Sequence, residues 1–162
     1  RRTSNALAPQ ALTVNPFDPL ENPMNHVTRI DTATAILRIS LGVMLFSHGF
    51  ILKYMTFGLA GPAGFFESVG FPGWTAYLVF SVETVGGLAL ILGIGTRWVA
   101  LAVLPVLLGA TYVHLGAGWV FSNQGGGWEY PLYLVVLAVS QCLLGAGAWS
   151  LDRKFSLERK PE

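Results

Sequence analysis

Charge is what this sequence has least of. Asp, Glu, Lys and Arg make up 12% of its 162 residues, about half the share of a typical soluble domain. Nine acidic and ten basic side chains leave a net charge of +1, so there is no basic field for nucleic acid. Cysteine is nearly absent as well. A single one, Cys142, excludes a disulfide framework, a CxxC redox pair, a thiolate zinc site and c-type haem attachment. No GxGxxG run opens a helix, so a dinucleotide fingerprint is missing too. What stands in place of charge is apolar surface: 52% of residues are hydrophobic and the mean hydropathy is +0.54. A soluble domain of this length needs a polar exterior that such a composition cannot supply. The chain reads as one integral membrane domain.

Four apolar stretches, at residues 32–54, 74–94, 98–115 and 130–149, are each long enough to cross a hydrocarbon core of about 30 Å. They are too long and too poorly alternating for barrel strands, so the expected architecture is an all-α bundle of four transmembrane helices. Arg1, Arg2 and Arg29 precede the first helix, Arg97 sits by the turn between the second and third, and Arg153, Lys154, Arg159 and Lys160 follow the fourth. This distribution predicts both termini on the cytoplasmic side. Trp74, Trp98, Trp119, Trp128 and Trp149 fall at predicted helix ends or in the outer loops, as an interfacial belt requires.

Residues 1–30 hold four prolines and no long apolar run. They read as an extended polar cytoplasmic arm, not a secretory signal, which would need an apolar core segment. The chain opens on Arg1, so a piece of a longer reading frame is expected. The domain proper is expected over 31–152 and a basic cytoplasmic tail over 153–162. The outer loops are glycine-rich, with an amphipathic FFESVGF turn in the first. Arm and loops are the expected contacts with other membrane subunits.

Ionisable side chains at bilayer depth are costly and usually face the bundle with a partner. From the rise per residue, Arg38 and Gln141 lie about 10 Å from the cytoplasmic edge and Glu83 about 13 Å from the outer one. A buried Arg38–Glu83 pair assisted by Gln141 is therefore expected. It would serve either as an ion pair fixing helix register or with Glu83 as a proton relay beside a ligand cavity. His48 and His114 share a second layer about 25 Å from the cytoplasmic edge. They could be solvated, could hydrogen-bond a quinone or quinol headgroup, or could hold a haem or metal. The last needs more ligands than two histidines with Glu129 nearby, so no metal and no haem are expected. Lys53, Trp128 and Glu129 lie at a similar level and could close such a site, although Lys53 alone would snorkel to the rim. Pro105 predicts a kink in the third helix.

Several of these residues sit in a recognisable pattern. The pieces LRISLGVMLFSHGFILK, GFFESVGFPG, ETVGGLALILGIGTRW, VHLGAGWVFSNQGGGWEYPL and LLGAGAWSLDR together resemble the DoxX family of small four-helix membrane proteins, from about Ala35 to Arg153. The resemblance implies a location in the bacterial cytoplasmic (inner) membrane. It also implies kinship with the DoxD-type membrane subunit of thiosulfate:quinone oxidoreductase and with proteins of oxidative-stress complexes. The family pattern points to Arg38, His48, Lys53, Glu83, Arg97, His114 and Glu129. Thiol-pair chemistry of distant relatives does not carry over to a chain with Cys142 alone, and the arm lies outside the pattern. The expected function is a membrane subunit of a respiratory or redox complex, contributing a quinone or quinol site or anchoring a redox partner that supplies the electrons. It is not expected to be catalytic alone. The alternative is a purely structural or assembly subunit. A transporter is least favoured, because four spans without paired broken helices give little for alternating access.

Overall fold

The computed structural model describes residues 23–155. Residues 1–22 of the arm expected over 1–30, and residues 156–162 of the tail expected over 153–162, lie outside the described residues. Among those described the fold is helical throughout, with no strand. The order is α1 (Pro23–Phe46), a π-helical segment (Ser47–Thr56), α2 (Ala60–Ser68), α3 (Thr75–Leu92), α4 (Thr96–His114), α5 (Glu129–Leu144) and a short α6 (Leu151–Lys154). Three helical runs are long and apolar enough to cross a membrane: His26–Thr56, Thr75–Leu92 and Thr96–Ala117. The apolar α5 is shorter. Its outward faces, such as Val136 and Leu143, are exposed like Val85, Leu101 and Leu108 on the neighbouring helices. Such surface belongs in lipid.

The first helix starts at Pro23, inside the stretch expected to be an arm. Proline suits a first helical position, where its fixed φ is pre-organised and its missing N–H is not needed. The fourth apolar run departs from expectation at its other end. It leaves the helix at Gly145 and turns back through Gly147, both with left-handed φ (83° and 66°). The helix therefore ends at Leu144 and not near Trp149.

Glycine sets the helix spacing. A Cβ on Gly87 of α3 would stand 2.6 Å from the Phe46 nitrogen and 2.8 Å from the Gly42 oxygen. Only hydrogen at this point allows the α1 and α3 backbones to touch, which is how helices associate in lipid. One turn on, a Cβ on Gly49 would stand 2.9 Å from Cβ of Glu83. Around this seam, Leu41, Leu45, Leu90, Val103, Leu107, Leu134 and Ala138 form one buried cluster.

The end of the bundle formed by the α3–α4 turn is closed by two polar side chains. Arg38 is fully buried (0% exposed). Its Nε donates to the Ala146 carbonyl at 2.8 Å, Nη1 to Leu90 and Ile91 at 2.6 and 2.9 Å, and Nη2 to Ala148 and Trp149 at 3.0 and 3.2 Å. Helix C-termini leave carbonyls without intrahelical partners, and these carry the negative end of the helix dipole. One guanidinium thus satisfies the end of α3 and the returning strand of chain after α5. Asp152, 1% exposed, does the converse for the start of α4. Its carboxylate accepts from the Gly95 and Thr96 N–H groups at 2.7 and 2.9 Å. Arg153 pairs with Asp31 at 2.6 Å, tying α6 to α1.

This arrangement corrects the expected Arg38–Glu83 pair. Depth alone allowed it, but the carbonyl cluster at the closed end takes the guanidinium, and Glu83 is paired elsewhere. Gln141 does not assist the pair either. It is buried (1% exposed) and its Nε2 donates to the Gly145 oxygen, capping the end of its own helix.

Candidate functional site

The opposite end of the bundle is hollow. A lobe of about 760 Å³ lies among the π-segment, α2, α3 and α4, and a second of about 540 Å³ lies among the π-segment, α4 and the start of α5. Five residues line both: His48, Lys53, Glu83, Ala110 and His114. The larger lobe is walled mainly by apolar groups, including Phe65 and Phe66 of α2, Phe71, and Val79 of α3. Gly109 and Ala110, a turn beyond Pro105 on α4, leave the space that larger side chains would fill. The smaller lobe adds Tyr130 and the Gly126–Gly127 turn. A cavity of this size, apolar with a few converging polar groups, is the usual form of a small-molecule site.

The polar groups arrive there through the π-segment. In an α-helix, residues five apart point about 140° away from each other at 3.6 residues per turn. Here the turns close five residues back, as in the Phe57 N–H to Leu52 oxygen bond (3.0 Å). His48 and Lys53 are five apart and share one face. Such π-turns are rare and concentrate at functional sites. The Lys53 ammonium meets the Glu83 carboxylate at 2.5 Å, with the two side chains 18% and 9% exposed. The lysine therefore turns inward instead of snorkelling to the rim. The close Gly49 approach brings Glu83 of α3 to it.

Both histidines have a defined tautomer. His48 Nδ1 lies 3.0 Å from the Met44 carbonyl and His114 Nδ1 lies 3.0 Å from the Gly125 carbonyl. A carbonyl oxygen can only accept, so Nδ1 carries the proton in each ring and Nε2 is left as an acceptor in the neutral imidazole. Among the described residues, no group of three or more His, Cys, Asp or Glu side chains is placed to hold a metal ion.

Trp128 and Glu129 do not line the cavity. Trp128 packs edge-on against Trp119, with ring centroids 4.4 Å apart. Glu129 accepts the Phe121 N–H at 2.9 Å. Both fold the Gly-rich loop between α4 and α5, which the Trp128 and Glu129 N–H groups close onto the Gly118 and Trp119 oxygens at 3.1 Å each. Arg97 lies in the first turn of α4, at the closed end.

The DoxX family model matches residues 33–116, more than half of the chain. The chain belongs to the DoxX family. Among its DoxX-type relatives is a Bacillus subtilis (strain 168) protein named "Putative oxidoreductase CatD", 30% identical over 75% of this chain and 86% of its own length. The Escherichia coli (strain K12) "Inner membrane protein YqjF" is 30% identical over 76% of this chain and 92% of its own. A Haemophilus influenzae protein named "Uncharacterized protein" is 35% identical over 75% and 89%. No solved structure matches the chain significantly. The protein is accordingly a membrane protein whose helices contact lipid.

The DoxX segment carries Arg38, His48, Lys53, Glu83, Arg97 and His114. Two important side chains lie beyond it and were not singled out from sequence: Tyr130 in the cavity wall and Asp152 at the closed end. The WEYPL and SLDR pieces contained them, but nothing in their spacing showed that they reach other helices.

Proposed function

We propose that this DoxX protein is a membrane subunit of a quinone-linked redox complex, with the quinone or quinol headgroup held beside the Lys53–Glu83 pair. The observation that carries the reading is that pair itself: an ion pair on the wall of an apolar cavity, flanked by two imidazoles that both offer Nε2 acceptors. A quinone takes up two electrons and two protons on becoming a quinol. The electrons come from a partner subunit, since no cofactor motif is present in the chain. Glu83 relays a proton, with Lys53 holding the carboxylate in place. The histidines orient ring oxygens, and the apolar lobe takes the isoprenoid tail. The oxidoreductase name of the CatD relative is consistent with this reading.

The topology that goes with it has four spans, α5 being the fourth, and both termini on the cytoplasmic side of a bacterial inner membrane. It is supported by Arg97, Arg153 and Lys154, which share the closed end with Arg38. The hollow end then faces outward, and the residues before α1 and the outer loops are the surfaces for partner subunits.

The test is a gentle purification of the tagged protein with its native partners, followed by lipid extraction and quinone-linked turnover. Wild type should carry quinone, and Glu83→Gln, whose amide oxygen can still accept from Lys53, should assemble with strongly reduced turnover. Unchanged turnover in that variant, or no quinone in the wild-type extract, overturns the reading.

A further inference from the structure

Four buried side-chain atoms among the described residues lack a hydrogen-bond partner: Thr84 Oγ1, Thr96 Oγ1, Gln141 Oε1 and the Tyr130 hydroxyl. Thr84, Thr96 and Gln141 stand outside the cavity wall; Tyr130 lines the smaller lobe together with His48, Lys53, Glu83 and His114. An unmade hydrogen bond at a buried hydroxyl costs about 1–3 kcal/mol. Buried hydroxyls without a partner are uncommon enough to need a reason. Replacement by phenylalanine would remove that cost at almost no change in shape.

The ring of Tyr130 is held while its hydroxyl is not. It stacks on the His48 imidazole with centroids 5.7 Å apart and planes 27° apart. His48 is itself fixed by its Nδ1–H bond to Met44. Below the ring, the start of α5 is pinned by the Glu129 bond to Phe121. The ring therefore lines the polar lobe at a set position, and its buried hydroxyl, able both to donate and to accept, has no partner among the described residues.

We infer that Tyr130 is a ligand-contacting residue whose hydroxyl hydrogen-bonds a ring oxygen of the headgroup in the smaller lobe. This rests on the quinone reading above and deepens it, because it orients the ligand. The headgroup ring lies against Tyr130, His48 and His114 beside the Lys53–Glu83 pair, and the tail occupies the larger lobe under α2. The class of ligand is an aromatic or quinonoid ring bearing an oxygen, on a long apolar chain.

The probes are a decyl-substituted benzoquinone and decylbenzene, titrated into detergent-solubilised wild type and Tyr130→Phe. The quinone should bind the variant about threefold to tenfold more weakly, the equivalent of one neutral hydrogen bond. Decylbenzene should bind both proteins alike. The ligand-free variant should melt at or above the wild-type temperature, because it has lost an unsatisfied polar group. Equal quinone affinity in the two proteins overturns the role of Tyr130 and leaves the quinone site standing. Failure of wild type to bind the quinone overturns both.

Discussion

The Lys53 ammonium and the Glu83 carboxylate lie 2.5 Å apart on facing helical elements, and both line each of the two lobes. Neither charge would be tolerated alone at this burial, since a desolvated ion without a partner costs several kcal/mol. Each holds the other in the wall of an otherwise apolar space.

Removing both partners should therefore cost less than the two single removals added together. Lys53→Met is expected to lower stability by about 3–5 kcal/mol, and Lys53→Met/Glu83→Gln by less than the sum of the single changes. Thermal unfolding of the four proteins in detergent gives the coupling, expected at about 1–3 kcal/mol. Additive losses would show that the two groups do not act as a pair.

Arg38 should tolerate no substitution, including lysine. An ammonium has three donors on a point charge, whereas the guanidinium fork reaches five carbonyls. Arg38→Lys is expected to melt far below wild type, with the loss centred on residues 145–150 and the α3 end. Hydrogen exchange localises it, and a wild-type melting temperature in Arg38→Lys would refute the account.

Gly87→Ala drives a methyl to 2.6 Å from the Phe46 nitrogen. Backbone must move, at a cost of about 1–3 kcal/mol. Gly64→Ala in α2 meets nothing within 4 Å and should be neutral or slightly stabilising, since alanine is the better helix former. A pair of melting curves checks both, and equal midpoints would remove the helix-contact argument.

Asp152→Ala should uncap α4 and cost about 0.5–2 kcal/mol. The expected signature is faster amide exchange at Gly95 and Thr96, the two groups it accepts from. Unchanged exchange there would mean that the carboxylate is not the cap.

Phe66→Ala enlarges the wall of the larger lobe. It should weaken binding of a long-tailed quinone while leaving that of a tailless benzoquinone unchanged, because the tail alone meets this wall. Calorimetric titration of the two probes separates them. Equal weakening of both would place the headgroup under α2.

Much of the bundle was legible because bilayer thickness and helix rise are fixed quantities. The apolar runs had to be helices of roughly the observed length. The stripe Arg38, Gly42, Leu45 and Gly49 had to face inward, and it does. The candidates His48, Lys53, Glu83 and His114 could be named because charge and imidazole are rare at depth. Their pairing could not. It depended on a π-segment that turns Lys53 onto the His48 face, which a 3.6-residue period does not reveal.

The sequence by itself determined that this is a helical membrane protein and which few polar side chains lie within it, since composition and length decide both. The tertiary structure decided which of them meet. Arg38 is drawn to carbonyls at the end of α3 and in the segment after α5, and these come together only when the chain folds back at Gly145. Glu83 is left for Lys53, and Tyr130 reaches the cavity from a helix far along the chain. Hydrogen-bond demand is local, but its partners come from distant parts of the chain, and folding alone brings them within reach.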